Sequence, residues 1–544
     1  FGEAGDVPSG ADRTVSYLWT WSESDGVQLF DQGEQQSAFF GGGEGRIMVG
    51  AFGKPGPDSM PGAVWVDGIP HQFPAVPGFG NHHSKAVNRL GVIVGDAVNS
   101  GQWWWWQGSR AFIAEPTGDG DYDGDALKDQ WELQGYVHAN GESVDLPSMG
   151  ANPLRRDLFV EIDAMTGHRP DPETLQPIID AFKAHDIALH LSIDDDLPFD
   201  AELGTLDALK RYQWDEFDAL KAAHFDEELE SAVRYCVFGH RLATLSDSGL
   251  ARGEPSSDFI VSLGAFVEES GTTDPWMQAG TFMHELGHTL GLRHGGADST
   301  NRKPNYLSVM NYDFQKQGLR INGQDGHFDY STAKLADLDE SALLEGAGLG
   351  AAAAGYQTLF RIVTLDPATF EITVEAVWTG DAQGAIDWDG SGAISAGLVS
   401  ADINGNGTPD VLESHDDWAN LDFNGGTVGF GVGLPPPPPP PETEVVEELT
   451  VEEAKVIPPP PVEGLVGRAG RGSVRLSWTP VGPYGQGTYR VYRVSGADRT
   501  LVAETMASAA SDRPGRGTWT YVVTVTDALG AESLDSGGLV LRVR

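Results

Sequence analysis

The chain has 544 residues, and 35 Lys and Arg against 80 Asp and Glu leave a formal charge of −45. Such acidity repels nucleic-acid phosphates and anionic membrane surfaces, so neither is expected as a partner. Hydrophobic residues at 40% and aromatics at 9% are enough for real cores, which excludes global disorder; no apolar run is long enough for a membrane span, and the length argues for several domains.

Residues 1–117 carry glycines, tryptophans and short apolar runs such as Arg46–Ala51 and Leu90–Val94, and are predicted to be a β-rich accessory or pro-like domain. The indoles of Trp103–Trp106 read as alternating faces of one strand, with a carbohydrate-binding face as the alternative. His82 and His83 read as surface or turn residues rather than ligands. Residues 118–155 hold a calcium-type loop. Asp121, Asp123, Asp125 and Asp129 fall at positions 1, 3, 5 and 9, the Leu127 carbonyl at 7 and Glu132 at 12, which is the EF-hand spacing. Ala126 stands at position 6 where glycine is expected, and Asp119 offers another register.

Residues 156–330 change character. Asp157–Met165 and Ile187–Ile193 read as strands around a helix over Pro172–His185; residues 203–231 read as helical, and Ala232–Val237 and Asp258–Leu263 as further strands. This order predicts a sheet with crossover helices. Residues 331–434 form a C-terminal subdomain with a second calcium loop. Asp402, Asn404, Asn406, Thr408, Asp410 and Glu413 occupy positions 1, 3, 5, 7, 9 and 12, with Gly407 at 6. Asp387, Asp389 and Ser391 suggest a third oxygen site, and hard Ca²⁺ suits such cages. For all of them the plain alternative is a polar turn with solvated carboxylates.

Residues 435–461 read as a proline-rich acidic linker: Pro435–Pro441, the acidic stretch Glu442–Val456, then Pro458–Pro461, a stiff extended spacer. Residues 462–544 alternate as short strands in Ser473–Trp478, Thr488–Val494 and Thr518–Thr526. Their early Trp, Tyr-x-Val-Tyr and Tyr-x-Val-x-Val resemble a fibronectin type III domain, which implies a β-sandwich that binds or spaces and has no chemistry of its own.

The run Thr281-Phe-Met-His-Glu-Leu-Gly-His-Thr-Leu-Gly-Leu-Arg-His294 concentrates the chemistry. His284 and His288 at i and i+4 share one helix face, so both imidazoles can reach one metal ion. Glu285 between them can accept a proton from a water that zinc activates. A third ligand leaves one open position on a tetrahedral ion; His294 lies too far along a straight helix, and Gly291 can turn the chain through φ > 0 to swing it back.

HExxHxxGxxH in this form resembles the signature of metzincin zinc metalloproteases. The resemblance also calls for a methionine turn beneath the metal, and Tyr306-Leu-Ser-Val-Met310-Asn-Tyr312 fits it. It implies that Met310 packs under the histidines and that Tyr312 ligates zinc or stabilises the transition state. Gly295 and Gly296 follow His294, matching none of the best-known branches, so the resemblance reaches the clan and not a family. The overall run is similar to bacterial or archaeal secreted metalloproteases. Cys236, the one cysteine, excludes an intrachain disulfide and reads as a buried small hydrophobe rather than a latency switch.

These readings predict a multidomain α/β (α+β) protein. A metzincin-like catalytic domain, with a mixed twisted sheet and a zinc-binding helix, is flanked by the N-terminal β-rich domain and the C-terminal β-sandwich. The expected activity is secreted zinc-dependent endopeptidase action on protein or peptide substrates, with His284, His288 and His294 on zinc, Glu285 and Tyr312 catalytic, and Ca²⁺ as structural cofactor. The terminal β domains offer places for a matrix, cell-surface or carbohydrate ligand. The alternatives are an extracellular adhesin with a vestigial zinc site and a non-proteolytic zinc hydrolase. The secreted placement rests on the calcium loops, since millimolar calcium lies outside the cell.

Overall fold

A computed structural model describes residues 120–365, 369, 371–429, 448–482, 487–496 and 498–544, together with isolated positions and the backbone of ten strands between residues 2 and 114. Trp103–Trp106, Asp119, Pro435–Pro441 and the side chains of His82 and His83 lie outside the described residues. The chain is mixed α and β and divides into two compact units, Phe1–Asp157 and Leu158–Arg544. No helix among the described residues is long and apolar enough to cross a membrane.

The first unit is β-rich to residue 114, with antiparallel sheets of three, four and three strands. The run around Ile47–Gly53 is an inner strand of the four-stranded sheet, and Ile93–Val98 is the middle strand of a three-stranded one. The acidic loop follows and ends in a short helix, Asp129–Gln134.

The second unit is organised by one five-stranded sheet. Its strands are β1 (Arg156–Met165, which begins in the first unit), β2 (Ile187–Leu197), β3 (Val233–Gly239), β4 (Gly249–Ala251) and β5 (Asp258–Ser262), in the order β2-β1-β3-β5-β4. β1, β3 and β5 run parallel, and β4 closes one edge antiparallel to β5. β3 and β5 are buried along their whole length, as strands covered on both faces are. α1 (Pro172–Ala184) opens with Asp171 capping the Glu173 amide and Pro172 at its first position, and buries Leu175, Ile178 and Phe182 on one stripe.

Residues 203–231 depart from the helical expectation. Thr205–Leu206 and Tyr212–Gln213 pair as a hairpin, and only α2 (Asp215–His224) is an α-helix. The reason is local: the Asp207 carboxylate accepts the Leu209 and Arg211 amides, and Gly204 and Lys210 take positive φ, so a turn replaces the helix.

α3 (Pro275–Thr289) carries the HExxH run and is buried from Met277 to Thr289. Its N-cap, Asp274, accepts the Trp276 and Met277 amides, with Pro275 at the first position. The linker reading needs correction over residues 448–461. Leu449, Ala454 and Ile457 are fully buried there, and Thr450 opens the helix Val451–Lys455 with a capping box, so this part is packed and not an extended spacer. Residues 466–543 form a sandwich of a three-stranded sheet (Val466–Ala469, Val474–Ser477, Ala509–Asp512) and a four-stranded one (Asp498–Thr505, Thr488–Ser495, Gly517–Thr526, Leu539–Val543) around Trp478, Tyr489, Val491, Tyr521 and Val523.

Candidate metal centre

α3 places His284 and His288 one turn apart, and its C-terminus then reverses. Leu290 caps it, Gly291 takes φ +84°, the Gly291 amide donates to the His288 carbonyl and the Leu292 amide to the Gly287 carbonyl. That is a Schellman ending, and it returns His294 to the other two rings. The His294 ring lies 5.3 Å from that of His284 and 4.9 Å from that of His288, centroid to centroid.

The fourth group is Glu448, from the stretch read as linker. One nitrogen of each histidine and a carboxylate oxygen of Glu448 lie within 4.8 Å of one another. His284 Nδ1 faces the Val309 carbonyl at 2.9 Å and His288 Nδ1 the Leu292 carbonyl at 2.7 Å, so in both rings Nδ1 carries the proton and Nε2 presents a lone pair. Yet the two Nε2 atoms stand 3.1 Å apart. Two lone pairs repel at that distance unless a cation lies between them. Glu448 Oε2 is 3.2 Å from His284 Nε2 and 3.3 Å from His294 Nε2. A tetrahedral ion with bonds of about 2.0–2.1 Å imposes ligand separations of roughly 3.3 Å, so the donor set fits zinc in both chemistry and spacing. Glu254 supports it: Oε1 is 3.2 Å from His288 Nδ1, and Oε2 takes Arg293 Nε at 2.8 Å. Burial alone would raise the Glu448 carboxyl; the facing His294, His288 and His284 outweigh it and hold it well below the usual carboxylate range.

Glu285 is fully buried, and neither carboxylate oxygen has a full hydrogen bond, the Ala251 amide facing it too loosely to count as one. Burial, then the charges of Glu448, Asp247 and Glu254, push its carboxyl well above the ordinary range. It lies against Gly249 of β4, where an added Cβ would meet Glu285 Oε1 at 2.4 Å. Met310 sits under α3, its sulfur 2.3 Å from where a Cβ on Gly287 would stand. Tyr312 is buried, its ring 4.7 Å from that of His294, on a short helix (Tyr312–Gln315) anchored by the buried pair of Asp313 with Arg361. The glycines after His294 have a steric reason. A Cβ on Gly295 would strike Asp298 and the buried Lys303, which donates to the Gly295 carbonyl, and one on Gly296 would strike His415. Cys236 is buried in β3, and burial raises its thiol.

The first acidic loop converges. Asp121, Asp123 and Asp125 form one group and Asp125, Glu132 and Asp157 an overlapping one. Both oxygens of Glu132 are buried without partners, and Asp123 has only the Asp125 amide facing it, short of a full hydrogen bond, the state a hard cation would relieve. Ala126 adopts φ +73°, the conformation glycine usually supplies at that position. Asp129 closes the loop by accepting the Tyr122 amide at 2.9 Å. The second loop does not gather its acids in this way. Asp402 accepts the Gly405, Asn406 and Gly407 amides, Asn406 and Thr408 bond Asp410, and Glu413 turns outward 3.5 Å from Lys334. Glu340 fills in instead, accepting the Asn404 and Asp410 amides. Glu345 does the same at the third loop, where it groups with Asp387 and Asp389. Sequence spacing missed Glu448, Glu254, Asp157, Glu340 and Glu345, because none belongs to the local motif it completes.

No family profile and no curated protein matches the chain. Among solved structures it is similar to an Fn3-like protein from Clostridium thermocellum, with 23% identity over 15% of this chain and 91% of that one and a TM-score of 0.14. It is also similar to a fibronectin type III domain of the human KIAA0970 protein (11% identity, 15% and 72%, TM-score 0.14) and to domains d3–d4 of the rat CD45 extracellular region (9%, 16% and 50%, 0.15). These likenesses cover a small share of the chain and say nothing of the histidine cluster.

Proposed function

We propose that the protein is a secreted, calcium-stabilised zinc metalloendopeptidase of the metzincin type, with His284, His288 and His294 holding the metal. The observation that carries this reading is the pair of Nε2 atoms 3.1 Å apart, both with their Nδ1 protons committed to carbonyls, beside the buried Glu285 carboxylate. Zinc, when bound there, supplies a Lewis acid that polarises a carbonyl and lowers the pKa of water. Glu285 takes the proton of the attacking water and returns it to the leaving amine. Tyr312, beside His294, offers its hydroxyl to the oxyanion. The Asp123, Asp125, Glu132 and Asp157 carboxylates hold calcium in the first unit.

The test uses Glu285→Gln, made in the parent chain and in a Glu448→Ala background so that the fourth ligand does not obscure the result. Zinc content should stay at one per chain while cleavage of a denatured protein falls about 10²-fold or more. One zinc per chain with no cleavage by parent or Glu448→Ala would sink the protease reading. A second reading, a binding protein with a closed structural zinc site, is favoured by Glu448 alone, since four protein ligands are the mark of structural zinc.

A further inference from the structure

Glu448 reaches the histidines at the end of a segment that runs like a bound peptide. The Ser248 amide donates to the Leu449 carbonyl at 3.0 Å and the Val451 amide to the Ser246 carbonyl at 3.2 Å, with Asp247 and Thr450 bridged antiparallel. The Glu448 amide faces Asp247 Oδ1 at 3.4 Å. Ser246–Ser248 lead directly into β4, the outer strand, and on their inner side Asp247 and Ser248 bond Ser262 of β5. A sheet edge beside a metal is where an extended peptide adds as a further strand. Here the chain itself takes that edge, with Leu449 and Val451 buried and the carboxylate of Glu448 on the metal's side. The following helix is fastened by Arg302 to Glu453 at 2.9 Å and by Lys455 to Glu269 at 2.8 Å. Lys316 Nζ donates to the carbonyls of Ala454 and Ile457.

We propose that Glu448 is the fourth metal ligand and that residues 448–451 occupy the substrate groove as an intramolecular plug, so the protein is latent until this segment is displaced. The inference rests on the zinc reading above. A tethered carboxylate acts at an effective concentration far above that of a free one, so a single weak ligand suffices to exclude water and peptide.

The experiment loads the full chain with Co²⁺ or Zn²⁺ and titrates acetohydroxamate, a small bidentate metal ligand, while the visible spectrum of the cobalt form is followed. Glu448→Ala should keep one metal per chain, shift the cobalt visible spectrum as water takes the place of the carboxylate, and bind acetohydroxamate at least tenfold more tightly than the parent. It should also cleave denatured protein at least tenfold faster. Val451→Pro deletes the amide that pairs with Ser246 at a first helical position where proline is tolerated, and should shift hydroxamate affinity in the same direction with Glu448 intact. Parent and both variants within twofold of one another, at one metal each, would overturn the plug and leave the zinc site standing. A parent chain that retains no metal overturns both.

Discussion

Gly249 shows how a single residue fixes the chemistry of this site from outside the motif. It holds no reacting group, yet its missing side chain is the space in which the Glu285 carboxylate lies. Gly249→Ala should push that carboxylate aside by about 1 Å, which costs about 10²-fold in kcat/KM in the Glu448→Ala background while zinc stoichiometry is unchanged. Metal analysis and peptide cleavage on the same preparation check both halves. Gly287 plays the same part for Met310. Gly287→Ala forces the methionine or Tyr330 to move, and we expect a loss of about 1–3 kcal/mol in urea unfolding. The histidine spacing is legible in sequence because it is local: i and i+4 on a helix, then a glycine that reverses the chain. The glycine pockets are not, because each is defined by a side chain arriving from elsewhere.

At the scale of the element, the Asp121–Glu132 loop stores repulsion that calcium would relieve. Burial first, then neighbouring carboxylates, raise Asp123 to about 7, Asp125 to about 9 and Glu132 to about 11. Ordinary carboxyls titrate near 4, so between that range and these raised values the native state binds more protons than the unfolded state. The loop's contribution to metal-free stability therefore falls as pH rises from about 4 through 7 and beyond. Bound calcium replaces the protons and should flatten or reverse that slope, with proton release on binding. Thermal melts at pH 5, 7 and 8.5 with calcium and with a chelator check it: the calcium-induced rise in Tm should grow with pH, and a rise independent of pH would refute the assignment. Asp157→Asn should weaken the calcium effect although Asp157 lies outside the loop, since it shares the group of Asp125 and Glu132. The loop pattern names five acids; the sixth enters from the strand that follows, and no spacing rule reaches it.

Across the second unit, the stretch from residue 448 to 461 joins the histidine cluster to the sandwich. Its acidic, proline-flanked composition reads as spacer because composition does not reveal what Leu449, Val451, Ala454 and Ile457 bury against. The alternating strands beyond it were readable because their period is local and both faces of each strand follow from it. One buried cation bonds both this segment and the sandwich. Lys316, just beyond the Met310 turn, gives its three protons to the Ala454 carbonyl, the Ile457 carbonyl and Asp527 of the sandwich at 2.7 Å, and both side chains are almost wholly buried. Lys316→Met would leave the Asp527 carboxylate buried without its cation and two carbonyls without a donor, so we expect a loss of about 3–5 kcal/mol in chemical denaturation. Lys455→Ala, which removes the solvent-facing pairs with Glu269 and Glu452, should leave stability nearly unchanged. Asp527→Asn in the Lys316→Met background should recover part of the loss, because it removes the stranded charge. Equal effects of Lys316→Met and Lys455→Ala would mean that the helix Val451–Lys455 does not depend on this junction.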